Sequence, residues 1–244
     1  MVSIQPTCEV WWASPKQVHP GLVDVLDARE RERHGRFRRR ADADRYLVAH
    51  ALLRGVCARA SGQKPHELTF HYQCRNCADP KPHGKPYPAG PAQGLEVSLT
   101  HSGDRVGVAL ARIEVGLDVE AVAPARDFER LNEYVLTPHE QNTLARLAHE
   151  QRCRGFFAYW ARKEALLKAT GMGLAGGLTS IEVSAPDERA RVRSGRGLAA
   201  PEAVWLTDLD PGGQHYAALA ALTSEPMHVS QQDPSCSSAV LAAL

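Results

Sequence analysis

Three consecutive apolar-rich stretches lie near the middle of the chain, Leu95–Thr100, Val106–Arg112 and Val115–Glu120, and apolar residues alternate with others in the first and third. The pattern predicts a β meander. In the third stretch Val115, Leu117 and Val119 share one face, so Gly116, Asp118 and Glu120 share the other, because side chains alternate along a strand. A helical period runs through Arg154–Ala169, where Trp160, Glu164, Leu167 and Lys168 fall on one side and Gly171 and Gly173 stop the helix. An earlier helix is predicted over Ala28–Ser61, broken near Gly35, with Leu47, Ala51 and Val56 on its buried stripe and Leu52 and Leu53 broadening it. Thr137-Pro138-His139-Glu140 reads as an N-cap, a first-position Pro and a third-position Glu, which starts a helix running to about His149.

Further strands are predicted at residues 8–12, Leu68–His71, Ile181–Ser184, Val204–Asp208 and Tyr216–Leu222. Gln73–Gly94, rich in Pro and Gly, is expected as loop and Arg189–Gly197 as a polar turn. Helix followed by strands thus occurs twice, on either side of roughly Ala111. The expected fold is α+β with two similar lobes, residues 1–111 and 112–223, and a flexible tail over 224–244.

Composition narrows the function classes. Hydrophobic residues make up 43% of the 244 and the net charge is +1, so no global field draws the chain to nucleic acid or membrane. No apolar run approaches the ~20 residues of a membrane span. The opening Met-Val-Ser-Ile-Gln lacks the basic and apolar regions of a signal peptide, and the six cysteines do not form a disulfide pattern. A soluble cytoplasmic protein is the expectation. Cys74-x-x-Cys77 with His71 and His83 has the spacing of a zinc knuckle, but no second Cys pair accompanies it, and free thiols or a local loop clip are the stronger reading.

The chemistry concentrates in two segments. Asp118 and Glu120 repel each other across one strand face, and a hard divalent cation is the usual reason to hold such a pair together. Glu164 and Lys168, at i and i+4, share a face with Trp160 and Leu167. A solvated strand face and an ordinary helix salt bridge are the bland alternatives. Together the segments offer three carboxylates and a lysine, enough for metal-assisted chemistry on a phosphate. Lys163 points elsewhere and is expected at the surface. Arginines crowd residues 29–45, interleaved with Glu30, Glu32, Asp42 and Asp44, as in a charge-laced helix or a phosphate grip.

Gly116-Leu117-Asp118-Val119-Glu120 followed by Trp160-Ala161-Arg162-Lys163-Glu164-Ala165-Leu166-Leu167-Lys168 resembles the paired signature of the 4′-phosphopantetheinyl transferases. Thr100-His101-Ser102 is similar to the family's Ser-His-Ser stretch, with Thr100 in place of the first Ser, and Gly84-Lys85-Pro86 to its Gly-Lys-Pro element. The resemblance spans about Arg29 to Leu222. Because the short holo-synthase type is about half this length and trimeric, the chain looks like the two-lobed Sfp type, and a monomer is expected.

The resemblance implies transfer of phosphopantetheine from coenzyme A to a serine of an acyl or peptidyl carrier protein, releasing 3′,5′-ADP. It implies Mg²⁺ on Asp118, Glu120 and Glu164, with Glu164, Lys168 and Asp118 catalytic. Ligand and general base are competing roles for Glu164. Coenzyme A would meet Arg40, Arg45, Lys85, Thr100 and His101, with Arg33 ranked after Arg40 and Arg45. Two other classes remain open: a Mg²⁺-dependent phosphodiesterase using the same carboxylates, and a nucleic-acid-binding module built on the arginine run.

Overall fold

A computed structural model describes residues 5–73, 75, 84–123, 128–173, 177–195, 200–232 and 234–244. Cys74, Cys77 and His83, and with them the knuckle reading, lie outside the described residues. The chain is α+β. Its first half runs β1 (Thr7–Ala13), α1 (Ala28–Gly35), α2 (Arg40–Ser61), β2 (Phe70–Gln73), β3 (Lys85–Pro88), β4 (Glu96–Ser102) and β5 (Arg105–Ala111). The second half runs β6 (Val115–Ala121), α3 (Phe128–Val135), α4 (Pro138–Arg146), α5 (His149–Thr170), β7 (Ile181–Val183), β8 (Val192–Gly195), β9 (Trp205–Leu209) and β10 (His215–Ala221). β11 (His228–Gln232) and α6 (Pro234–Ala242) close the chain.

Two sheets carry the fold, a mixed one of four strands and an antiparallel one of three. One has the order β11-β1-β5-β4 and the other β6-β10-β9. Strand alternation gives each sheet two apolar faces. Val10 and Trp12 of β1 meet Leu117 and Val119 of β6 and Leu219 of β10 in a core between the sheets. Trp11 of β1 and Val108 of β5 turn outward to α2, joining Leu47, Leu52 and Leu53. Ala218 and Ala220 of β10 turn the other way, to Phe157 and Leu166 of α5. The layers are therefore helix, sheet, sheet, helix.

The two long helices are built alike. Each has 22 residues and ends on a left-handed glycine, Gly62 (φ 72°) after α2 and Gly171 (φ 68°) after α5. Each holds a fully buried cation against the glutamate of a preceding capping box. Arg54 pairs with Glu30 at 2.6 Å, and Lys163 with Glu140 at 2.5 Å. Asp27 and Thr137 are the corresponding N-caps. Lys163 is thus not a surface lysine: its ammonium also donates to the carbonyls of Val135 (2.7 Å) and Leu178 (3.1 Å). Such pairing is what lets a charge be buried at all.

The expected flexible tail is instead structured. β11 adds in parallel to the open edge of β1, from Thr7↔His228 to Trp11↔Gln232. α6 lies on α2, where Gly55 has no side chain to keep Val240 away, and Leu241 is buried. The tail's polar residues masked the few apolar ones that anchor it. β3 and β8 likewise form within the segments expected as loop and turn.

Candidate active site

β6 and α5 touch backbone to backbone at one place. A Cβ on Gly116 would lie 2.0 Å from the Ala165 carbonyl oxygen and 2.3 Å from the Ala169 nitrogen. Only glycine permits that approach. It sets the face of β6 that carries Asp118 and Glu120 directly against the face of α5 that carries Glu164 and Lys168. These four side chains line one cavity of about 380 Å³. Trp160 of α5 shares the lining, and α1, α2, β2 and β4 supply the facing wall through Arg29, Arg33, Tyr46, His50, Tyr72, Leu99, Thr100 and His101.

The polar groups form one connected set. Lys168 Nζ donates to Asp118 Oδ1 at 2.6 Å, to the Leu117 carbonyl at 3.2 Å and to Thr100 Oγ1 at 3.2 Å. Thr100 donates to Asp118 Oδ1 at 3.1 Å and accepts the Val119 N–H at 3.1 Å. Ser102 donates to Glu120 Oε2 at 3.0 Å. Asp118 Oδ2 is buried with no hydrogen-bond partner. Burial raises the Asp118 pKa, and the Lys168 ammonium and Thr100 hydroxyl oppose the rise. Burial, then the charge of Asp118, raises Glu164 to about 7, with Glu120 adding to the push and Lys168 opposing it. Desolvation against the cavity wall and then the Lys168 ammonium lower His101, whose other face is exposed, to about 4.

These residues fit a hard cation in part. The donors are carboxylate oxygens, one of them an orphan, and their mutual repulsion is what a cation would relieve. Asp118, Glu120 and Glu164 do not close into a three-ligand cluster; none exists among the described residues. Lys168 already occupies one oxygen of Asp118, so a cation here would take much of its shell from a bound phosphate.

Several expected coenzyme A contacts are placed differently. Lys85 is buried, with its ammonium on the Val115 carbonyl (3.0 Å) and Glu96 (3.3 Å), while its neighbours Gly84 and Pro86 line the cavity. The bonds Thr100 makes use its one proton and both acceptor sites, which leaves no donor for a phosphate. Arg40 is exposed and paired with Asp44 on its own helix at 3.4 Å. Arg45 donates to the Gly103 carbonyl at 2.9 Å and to Asp42 at 2.7 Å, bracing the β4–β5 turn. Arg33, ranked after both, lines the cavity together with Arg29, which lies 4.2 Å over the Tyr72 ring. The i,i+4 spacing of Arg29 and Arg33 on α1 was the available signal. His50 and Tyr72 carried none, because their places depend on the buried Glu30 that both contact.

Residues 114–220, from β6 to β10, match the model of the 4′-phosphopantetheinyl transferase superfamily. The 4′-phosphopantetheinyl transferase HetI of Nostoc sp. is 31% identical over 187 residues, covering 74% of each chain. A 4′-phosphopantetheinyl transferase of Bacillus subtilis is 29% identical over 68% of this chain and 70% of its own. The transferase psf-1 of Bacillus pumilus is 28% identical over 78% and 76%. With its acidic strand set against the Trp-x-x-Lys-Glu-x-x-x-Lys helix around one cavity, the chain belongs to the 4′-phosphopantetheinyl transferase family, which transfers phosphopantetheine from coenzyme A to carrier proteins.

Proposed function

We propose that this chain is a two-lobed transferase of the Sfp type, in which coenzyme A lies in the cavity that β4 and β6 line together, with α1 and α2 on one side and α5 on the other. The repeated order of helices and strands supports the two-lobed reading: β1-β5-β4 and β6-β10-β9 both place their strands in the order first, third, second along the chain. The observation that carries the functional reading is the convergence of Asp118, Glu120, Glu164 and Lys168 on one cavity, with Asp118 Oδ2 unpartnered.

Asp118 and Glu120 would hold Mg²⁺, which when bound neutralises diphosphate charge and the charge that builds as the phosphoanhydride opens. The remaining work falls to the chain's own residues. Arg29 and Arg33, at the far wall, bind the phosphate end of coenzyme A. Glu164, whose pKa of about 7 suits a base at neutral pH, takes the proton from the carrier serine hydroxyl. The serine oxygen attacks the β-phosphorus, the anhydride P–O bond breaks, and 3′,5′-ADP leaves with the electron pair. Lys168, anchored by Asp118 and the Leu117 carbonyl, holds its positive charge beside the departing oxygen.

The test is incubation with coenzyme A, Mg²⁺ and an apo carrier protein, read by intact mass and by analysis of the released nucleotide. The expected result is phosphopantetheine on one serine and one 3′,5′-ADP per modified carrier. Release of free phosphopantetheine without carrier modification would replace this reading with the phosphodiesterase. Asp118→Ala and Glu164→Ala are each expected to cost at least ~10²-fold in turnover.

A further inference from the structure

Alternate residues of β4 turn their hydroxyls to the edge of β6 that β10 leaves open. Ser98, Thr100 and Ser102 accept the N–H groups of Leu117 (2.9 Å), Val119 (3.1 Å) and Ala121 (3.1 Å). A hydroxyl that accepts still has its proton to give. Thr100 gives its proton to Asp118 and Ser102 to Glu120, in each case the residue just before the N–H it accepts. At the first rung the preceding residue is Gly116, which has no side chain to receive one. The ladder is regular over three rungs and carries a carboxylate at two.

We propose that Ser102 and Thr100 are positioning residues that set the divalent-cation affinity of the site by fixing the orientations of Glu120 and Asp118. This rests on the cation reading given above. A carboxylate with one oxygen tied to a hydroxyl keeps the other in a defined place, so less ordering remains when a cation binds. Asp118 shows the result: Oδ1 takes Thr100 and Lys168, and Oδ2 is left buried without a partner. Ser102 is the cleaner of the two to test, because Thr100 also meets Lys168.

The experiment measures Mn²⁺ binding by electron paramagnetic resonance on the full chain and on Ser102→Ala, Ser102→Thr and Ser98→Ala, with amide exchange followed in parallel. Ser102→Ala is expected to bind Mn²⁺ about 10–100-fold more weakly, the usual effect of losing a group that orients a metal ligand. Ser102→Thr, which keeps the hydroxyl, should recover most of the affinity. Ser98→Ala should speed exchange at Leu117 yet leave Mn²⁺ affinity unchanged, because its rung carries no carboxylate. Wild-type affinity in Ser102→Ala overturns the proposal. So does an equal loss in Ser98→Ala, which would trace the effect to displacement of β6 as a whole. Absence of Mn²⁺ binding in the wild-type chain would overturn the cation reading itself, and is distinguishable from both.

Discussion

β1 and β6 are each the first strand of an antiparallel run, β1-β5-β4 and β6-β10-β9, and each has one edge beyond its antiparallel neighbour to satisfy. At β1 a backbone does it: β11 pairs along the strand, and α6 then packs on α2. At β6 side chains do it, through the hydroxyls of Ser98, Thr100 and Ser102. An unpaired edge is unstable either way, but the two solutions leave different room. A strand covers its neighbour and ends there. A row of hydroxyls satisfies the same N–H groups and has protons left over, and at β6 those protons reach the carboxylates of the site. The half that was closed with backbone supplies a wall for the cavity. The half closed with side chains carries the acidic strand and the helix of the proposed chemistry.

Removing residues 228–244 opens the β1 edge and leaves the β6 edge intact. The buried Leu241 and the whole β11 ladder go with it. A loss of at least ~3 kcal/mol is expected, lowering Tm by about 6–12 °C, with association through the bared strand. Thermal denaturation and size-exclusion chromatography check this; an unchanged Tm would mean that β1 does not need its partner.

Gly116→Ala acts on the other half. The new methyl meets the backbone of α5, which cannot move aside as a side chain could. Overpacking is expected to cost about 1–3 kcal/mol, and the shift of Glu164 and Lys168 away from Asp118 about 10²-fold in turnover. Full activity in a folded Gly116→Ala protein would show that the close approach does not set the site.

Glu164→Gln separates charge from shape. The folded pKa of about 7 lies above the ordinary 4.5. The folded protein therefore holds the proton more tightly than the unfolded chain. Its stability is unburdened below pH 4.5, and the burden grows as pH rises and is complete above 7. Neutral Gln removes it, so the substitution should gain up to ~3 kcal/mol at pH 8 and nothing at pH 4. Urea denaturation at both pH values decides; an equal gain at both would trace the effect to packing.

Within the binding wall, Arg33→Ala is expected to weaken coenzyme A about tenfold and Arg40→Ala less than about twofold, measured by calorimetry. Equal losses would mean that the exposed arginine swings in when the ligand binds, and that the cavity of the free protein is a poor guide to the wall.

Much of the site was legible because it is local. Asp118 and Glu120 share a face by strand alternation, Glu164 and Lys168 by helical spacing, and neither needs the rest of the fold. The wall of the cavity facing β6 and α5 was read less well. Lys85 and Gly84 are adjacent in sequence, and only the β2–β3 hairpin decides that one turns inward to Glu96 while the other lines the cavity. Lys163 was misplaced for the same reason: its helical position gave no sign of Glu140, which reaches it from α4. Ser98, Thr100 and Ser102 alternate plainly, but alternation does not say that a strand edge lies beside them.

What the sequence determined by itself is the set of short-range periods: the elements, their caps and the faces that carry the chemical groups. What the tertiary structure decided is which face meets which. Glycine at 116 permits contact between β6 and α5, but the contact exists only because two sheets and two helices stack around common cores. The energies that select this stacking come from apolar burial summed over residues far apart in the chain, and no local pattern records such a sum.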